Sequence, residues 1–127
     1  VKILLDTHVF LWAITAAPRL SAEQREMFLD EMNDLHLSVA SIWEMPIKAG
    51  LGKLPLPAPA TEYLVKQVEK NRITLLPIRI AHLAELQKLP PLHRDPFDRL
   101  LVAQARAEKM RMLSADARMR EYEVEVT

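Results

Sequence analysis

Apolar residues in this chain fall into short runs separated by stretches of helical spacing. Residues 2–6 (KILLD) form an apolar run that ends on a carboxylate, and THVFLWAITAA follows with the length and alanine content of a helix, stopped by Pro18. The pattern predicts a strand and then a helix. Ser21 with Gln24 matches a capping box, and Met27, Phe28, Met32 and Leu35 recur at helical spacing, so a second helix is expected over 21–33. Leu35 to Val39 reads as a second strand. A third helix is expected from near Ser41 to about Ala49, with Pro46 an interior residue that should kink or shorten it.

Residues 51–60 (LGKLPLPAPA) place prolines at alternate positions and predict an extended connection. Thr61 to Arg72 is amphipathic through Leu64, Val65 and Val68, and Ile73 to Leu76 follows as a third strand stopped by Pro77. Residues 80–89 give a short helix, and Pro96 to Lys109, after the Pro90–Pro91 break, gives the strongest helical pattern in the chain. Arg111 to Leu113 then reads as a strand, 116–121 as a short helix and Val124 to Val126 as a terminal strand. Short apolar strands alternating with helices imply an α/β fold, with crossover connections and a short-stranded parallel sheet covered by helices on both faces. Every strand-to-helix junction then lies on one edge of the sheet, where open α/β folds place their sites.

Composition narrows the chemistry. The 127 residues suit a single domain over 1–127 with a sizeable buried core. Cysteine is absent, which removes disulfides, thiolate metal sites and thiol nucleophiles and fits a reducing compartment. With no apolar run of ~18 residues and an opening segment too short for a signal peptide, the expectation is a soluble cytoplasmic protein with no membrane partner. Gly50 and Gly52 are the only glycines, so neither a P-loop nor a GxGxxG turn can be written, and a G-x-S-x-G serine elbow is excluded with them. The four histidines show no H-x-x-x-H spacing, which disfavours a histidine-bound metal. Trp12 and Trp43 fall within predicted helices and read as core or interface residues.

Four carboxylates fall at or near helix starts: Asp6, Glu44, Asp98 and Asp116. Each has a capping reading, because acids at helix N-termini meet orphan N–H groups and the positive end of the macrodipole. Ser41 with Glu44 fits a capping box, and Asp95-Pro96-Phe97-Asp98 fits an Asp N-cap, a proline at the first helical position and an acid at the third. Two features point beyond capping. In a helix over 96–109, Asp98 shares its face with Leu101, Val102 and Ala105, and an inward carboxylate needs a partner. Lys and Arg are missing from the immediate flanks of Asp6 and Glu44, and several acids at one sheet edge repel unless a cation sits among them. Oxygen donors of that kind suit Mg²⁺ or Mn²⁺. A dehalogenase-like phosphatase needs an Asp where His8 stands, and a receiver domain needs a phosphorylatable Asp where Pro77 follows the third strand.

LLDTHVFLW at 4–12, SIWE at 41–44, LGKLPLP at 51–57, HRDPFDRLLVAQA at 93–105 and LSAD at 113–116 together resemble the PIN-domain proteins, and more narrowly the ribonuclease toxins of VapC type, which pair with a small antitoxin. The resemblance spans nearly the whole chain. It implies a three-layer α/β sandwich and an endoribonuclease site in which Asp6, Glu44, Asp98 and Asp116 hold one or two Mg²⁺ or Mn²⁺ ions. Thr7 and Ser114 sit beside two of these acids as residues that orient them, and Asp95 is an N-cap and supporting residue. RNA contacts are expected from Lys48, Arg94 and Arg99, with homodimerisation and an antitoxin as partners. Two alternatives stay open, a PIN nuclease of RNA maturation with no antitoxin and a non-catalytic partner-binding module.

The 17 basic residues balance the 17 acidic ones, which at first disfavours a nucleic-acid partner. Setting four acids into one pocket leaves 17 basic against 13 acidic residues elsewhere, so a neutral total is compatible with a polyanionic substrate.

Overall fold

The computed structural model describes residues 1–52, 55–92, 95–122 and 124–127. Four parallel strands, β1 (Lys2–Leu5), β2 (Asp34–Ser38), β3 (Thr74–Leu76) and β4 (Arg111–Leu113), form one sheet in the order β3-β2-β1-β4. Between them run α1 (Thr7–Ile14), α2 (Ala22–Leu29), α3 (Val39–Gly50), α4 (Ala60–Lys70), α5 (Ile80–Lys88) and α6 (Pro96–Glu108), with a short 3₁₀ helix over Ala117–Glu121.

The central position of β1 explains its unbroken apolar run. Ile3, Leu4 and Leu5 are all fully buried, because a strand covered on both faces has no solvated side on which to alternate. Ile3 and Leu5 pack with Val9 and Phe10 of α1, Met45 of α3 and Leu64 of α4. Leu4 points the other way, to Leu101, Val102 and Ala105 of α6 and to Met112 and Met119. The sheet is therefore the middle of three layers. Each such side chain contributes about 1.5–3 kcal/mol on burial.

Several boundaries differ from the sequence expectation, each for a local reason. The second helix ends at Leu29, four residues early, where the Asp30 side chain accepts the Met32 N–H and the Asn33 amide donates to the Met27 carbonyl. Met32, expected on the apolar face, is consequently exposed. The third helix starts at Val39, two residues earlier than expected, because Ser38 at the end of β2 caps it through Ala40 N–H at 3.1 Å. Ser41 and Glu44 thus lie inside that helix and do not form its capping box. Pro46 does not shorten it, since the helix continues to Gly50. The terminal strand reduces to a single bridge between Met112 and Val126, although Met112 N–H still donates to the Glu125 carbonyl and Ser114 N–H to that of Thr127. Trp43, expected in a core or interface, is exposed and meets the edge of the Phe97 ring.

α5 and α6 are joined by a buried polar contact. The His82 ring, fully buried, accepts the Arg79 N–H at Nδ1 (3.0 Å), which places its own proton on Nε2 for donation to Glu108 Oε2 at 2.9 Å. That bond, with the charges of Arg79 and Lys2 beyond it, holds the Glu108 carboxyl below its ordinary value of 4.5. A depressed folded value stabilises the protein above the unfolded value, and the contribution is lost as pH falls through the folded one. Urea unfolding of Glu108→Gln against the parent is therefore expected to show a deficit at pH 7 that narrows below pH 4.5. A deficit independent of pH would assign the effect to packing alone.

Candidate active site

The order β3-β2-β1-β4 means that the chain leaves β1 toward one side of the sheet and returns on the other at β4. The crevice between the carboxyl ends of β1 and β4 is thus the topological switch point. Asp6 follows β1 there. Its backbone N–H continues the ladder to the Leu113 carbonyl at 3.0 Å, and its side chain caps α1 by accepting the Val9 N–H at 2.8 Å. The other carboxylate oxygen accepts the Ser114 hydroxyl at 2.5 Å. Ser114 in turn accepts the Asp116 N–H at 3.1 Å, so one hydroxyl ties the residue after β1 to the turn after β4. Asp6 is only 4% exposed, and burial pushes its carboxyl above the ordinary 3.8 despite the hydrogen bonds from Ser114 and Val9.

Asp98 occupies the third position of α6. Asp95 caps that helix through Phe97 N–H at 2.9 Å, and Pro96 fills the first helical position, as the DPFD segment predicts. Leu101, Val102 and Ala105 on the same helix are buried, and Asp98 itself is half-buried. Asp6, Asp95, Asp98 and Asp116 line one cavity of about 620 Å³. Arg19 and Arg118 line it too, and neither was singled out from sequence. Arg118 carried a readable signal, two residues after an acid at a predicted helix start. Its guanidinium holds both oxygens of Asp116, at 3.1 and 3.0 Å. Arg19 carried none beyond following Pro18; it lies over the Trp12 ring, 5.8 Å from the centroid.

Glu44 is placed differently. It sits mid-way along α3, 2% exposed, and lines a neighbouring, largely apolar cavity with Lys48, Asp95 and Phe97. Thr7 donates to its Oε1 at 2.7 Å, and Ser41 Oγ lies 3.0 Å from the Thr7 hydroxyl. A hydroxyl has one proton, so Ser41 donates to Thr7 while Thr7 donates to Glu44. Lys48 Nζ lies 2.6 Å from Glu44 Oε2. The expectation that Glu44 lacks a basic neighbour is thus corrected, since the partner stands one helical turn along rather than in the adjacent residues. Burial alone would depress the Lys48 ammonium, but the hydrogen bond and charge of Glu44, reinforced by Asp95 and Asp98, hold it above the ordinary 10.5. Among the expected RNA contacts, Lys48 is therefore engaged internally, Arg99 donates to the Leu89 carbonyl at 3.2 Å, and Arg94 lies outside the described residues.

The donor set is wholly oxygen, as a hard divalent cation requires. Among the described residues, however, no three acids or histidines converge into a ready cage. The carboxylates line the walls of the cavity, with Asp116 turned onto Arg118. A buried, fixed carboxylate at Asp6, whose charge is opposed by desolvation, gains from a nearby cation.

The PIN domain family matches residues 3–125. The chain belongs to that family. Ribonuclease VapC16 of Mycobacterium tuberculosis is 38% identical to this PIN domain over 71 residues, 53% of the chain and 50% of that protein. The match therefore spans about half the length of that curated relative. Three solved structures share the fold: VapBC2 from Rickettsia felis bound to a promoter DNA fragment (TM-score 0.72, 15% identity, 100% of this chain and 98% of that one), DNA-bound VapBC from Salmonella typhimurium (0.68, 18%, 100% and 97%) and FitAcB from Neisseria gonorrhoeae (0.64, 19%, 98% and 95%). The family resemblance drawn from the motifs is borne out, and the three-layer α/β fold with it. Among the described residues no helix is long and apolar enough to cross a membrane.

The raised Asp6 value carries a stability consequence. A carboxylate harder to ionise folded than unfolded penalises the fold fully above its folded value and not at all below the unfolded value, near 3.8. Calorimetry of metal-free Asp6→Asn is expected to show a higher Tm than the parent at pH 7, with the two converging below pH 3.8. A lower Tm at pH 7 would show that the Val9 and Ser114 bonds outweigh the desolvation.

Proposed function

We propose that this PIN domain is a divalent-metal-dependent endoribonuclease, the toxin of a toxin–antitoxin pair, acting in the cytoplasm as a homodimer and silenced by a small antitoxin. The observation that carries the reading is that Asp6, Asp98 and Asp116, at three separate helix starts, line one cavity at the sheet's switch point. Membership of the PIN family, a relative named as a ribonuclease and structural neighbours solved as VapBC assemblies support it.

Asp6, Asp98 and Asp116 would hold Mg²⁺ or Mn²⁺, with Glu44 the reserve member of the set. When bound, such an ion lowers the pKa of a coordinated water and neutralises charge developing on a phosphodiester. The chain's own residues prepare that site. Val9 N–H and Ser114 fix the direction of Asp6 before anything binds, so its donor oxygens need no reorganisation. Asp98 is carried on the rigid first turn of a capped helix. Arg19 and Arg118, which line the same cavity, supply positive charge toward a phosphate backbone.

Purified Asp98→Asn protein is expected to lose metal-dependent RNA cleavage by about 10²–10³-fold while melting as the parent does. Chelation of divalent ions is expected to abolish parent activity. Undiminished cleavage by Asp98→Asn would overturn the site. On expression, growth arrest relieved by Asp6→Ala marks a catalytic toxin, whereas unrelieved arrest marks partner sequestration.

A further inference from the structure

Glu44 and Lys48 make a second use of charge beside the acid cavity. The Glu44 carboxylate is 2% exposed, and each of its oxygens already has a partner, Thr7 on Oε1 and Lys48 on Oε2 at 2.6 Å. A carboxylate this deep needs a cation, and α3 supplies one from its own next turn. The Lys48 ammonium is also attracted by Asp95 and Asp98, and Asp95 lines both cavities. The Glu44 oxygen not held by Thr7 is thus already taken by a protein charge. Arg118 on Asp116 differs, because the Arg118 side chain is 61% exposed and its pair is screened and easily broken.

We propose that Lys48 is the resident counter-cation of the acid cluster: it occupies Glu44, keeps that carboxylate away from the divalent ion, and thereby limits how tightly the ion is held. This makes Lys48 a positioning residue, acting through Glu44, and it rests on the metal-dependent nuclease reading. Removing the ammonium frees one oxygen of a fourth carboxylate and leaves its negative charge uncompensated near Asp98. Divalent affinity then rises through Glu44 itself.

The test is calorimetric titration of Mn²⁺ into the full chain, which reads binding rather than activity. Lys48→Met, with Lys48→Gln as a smaller change should the first fold poorly, is expected to bind Mn²⁺ about tenfold more tightly, the scale on which residues contacting a ligand alter metal affinity. Metal-free Lys48→Met is expected to melt below the parent, because buried Glu44 keeps its Thr7 bond but loses its counter-charge. Lys48→Arg is expected to bind Mn²⁺ as the parent does. The gain is expected to vanish in the double variant Lys48→Met/Glu44→Gln. Equal or weaker Mn²⁺ binding by the folded variants overturns the proposal, as does a gain that persists without Glu44. A parent protein that binds no Mn²⁺ overturns the nuclease reading along with it, whereas a parent that binds Mn²⁺ with Lys48 variants unchanged overturns this proposal alone.

Discussion

The rest of the structure is arranged around a carboxylate buried at the carboxyl end of the central strand. Asp6 follows Leu5, and because β1 is covered on both faces its last residue delivers the next side chain into the interior rather than to solvent. Ionising a group there is unfavourable, and the fold offsets the cost with a backbone N–H from α1 and a hydroxyl from the segment after β4. Ser114 reaches Asp6 only because β4 pairs beside β1, with Leu5 opposite Leu113. Sheet order and site geometry are therefore one constraint. A sheet that placed β4 elsewhere would leave Asp6 without its hydroxyl partner and Asp116 on another edge.

Charge elsewhere follows from that arrangement. Four acids gather near one edge, and two basic side chains hold two of them in different ways. Lys48 pairs with Glu44 in the interior on a single helix, while Arg118 holds Asp116 near the surface. The zero formal charge of the chain is thus a balance of unlike regions: a crevice lined by Asp6, Asp95, Asp98 and Asp116 against Arg19 and Arg118, and a remainder in which basic residues are in slight excess. A zero total therefore says little about the charge of any one face of the protein.

Much of this was legible in the residues because it is local. The apolar run ending at Asp6 predicts a buried strand with an acid at its end. The DPFD segment predicts its own cap, and helical spacing places Asp98 with Leu101, Val102 and Ala105, all three of which are buried. What was not legible depended on competition or on long-range pairing. Ser38 and Ser41 both offer a cap to α3, and only the end of β2 decides for Ser38. Asp30 reads as part of a continuing helix until its side chain turns back on Met32 N–H. The Lys48–Glu44 pair leaves no trace in the residues adjacent to Glu44; its signal is the i,i+4 spacing, one turn along α3. The position of β4 beside β1, which decides that Ser114 meets Asp6, has no local signature at all.

The most direct measurement is the location of Mn²⁺ by anomalous scattering in crystals of the protein soaked with that ion. An ion bound by Asp6 and Asp98, with Asp116 released from Arg118 to join them, is the expected result. Manganese bound elsewhere, with the Asp6 carboxylate still holding its bonds to Val9 and Ser114 and no ion, would contradict it.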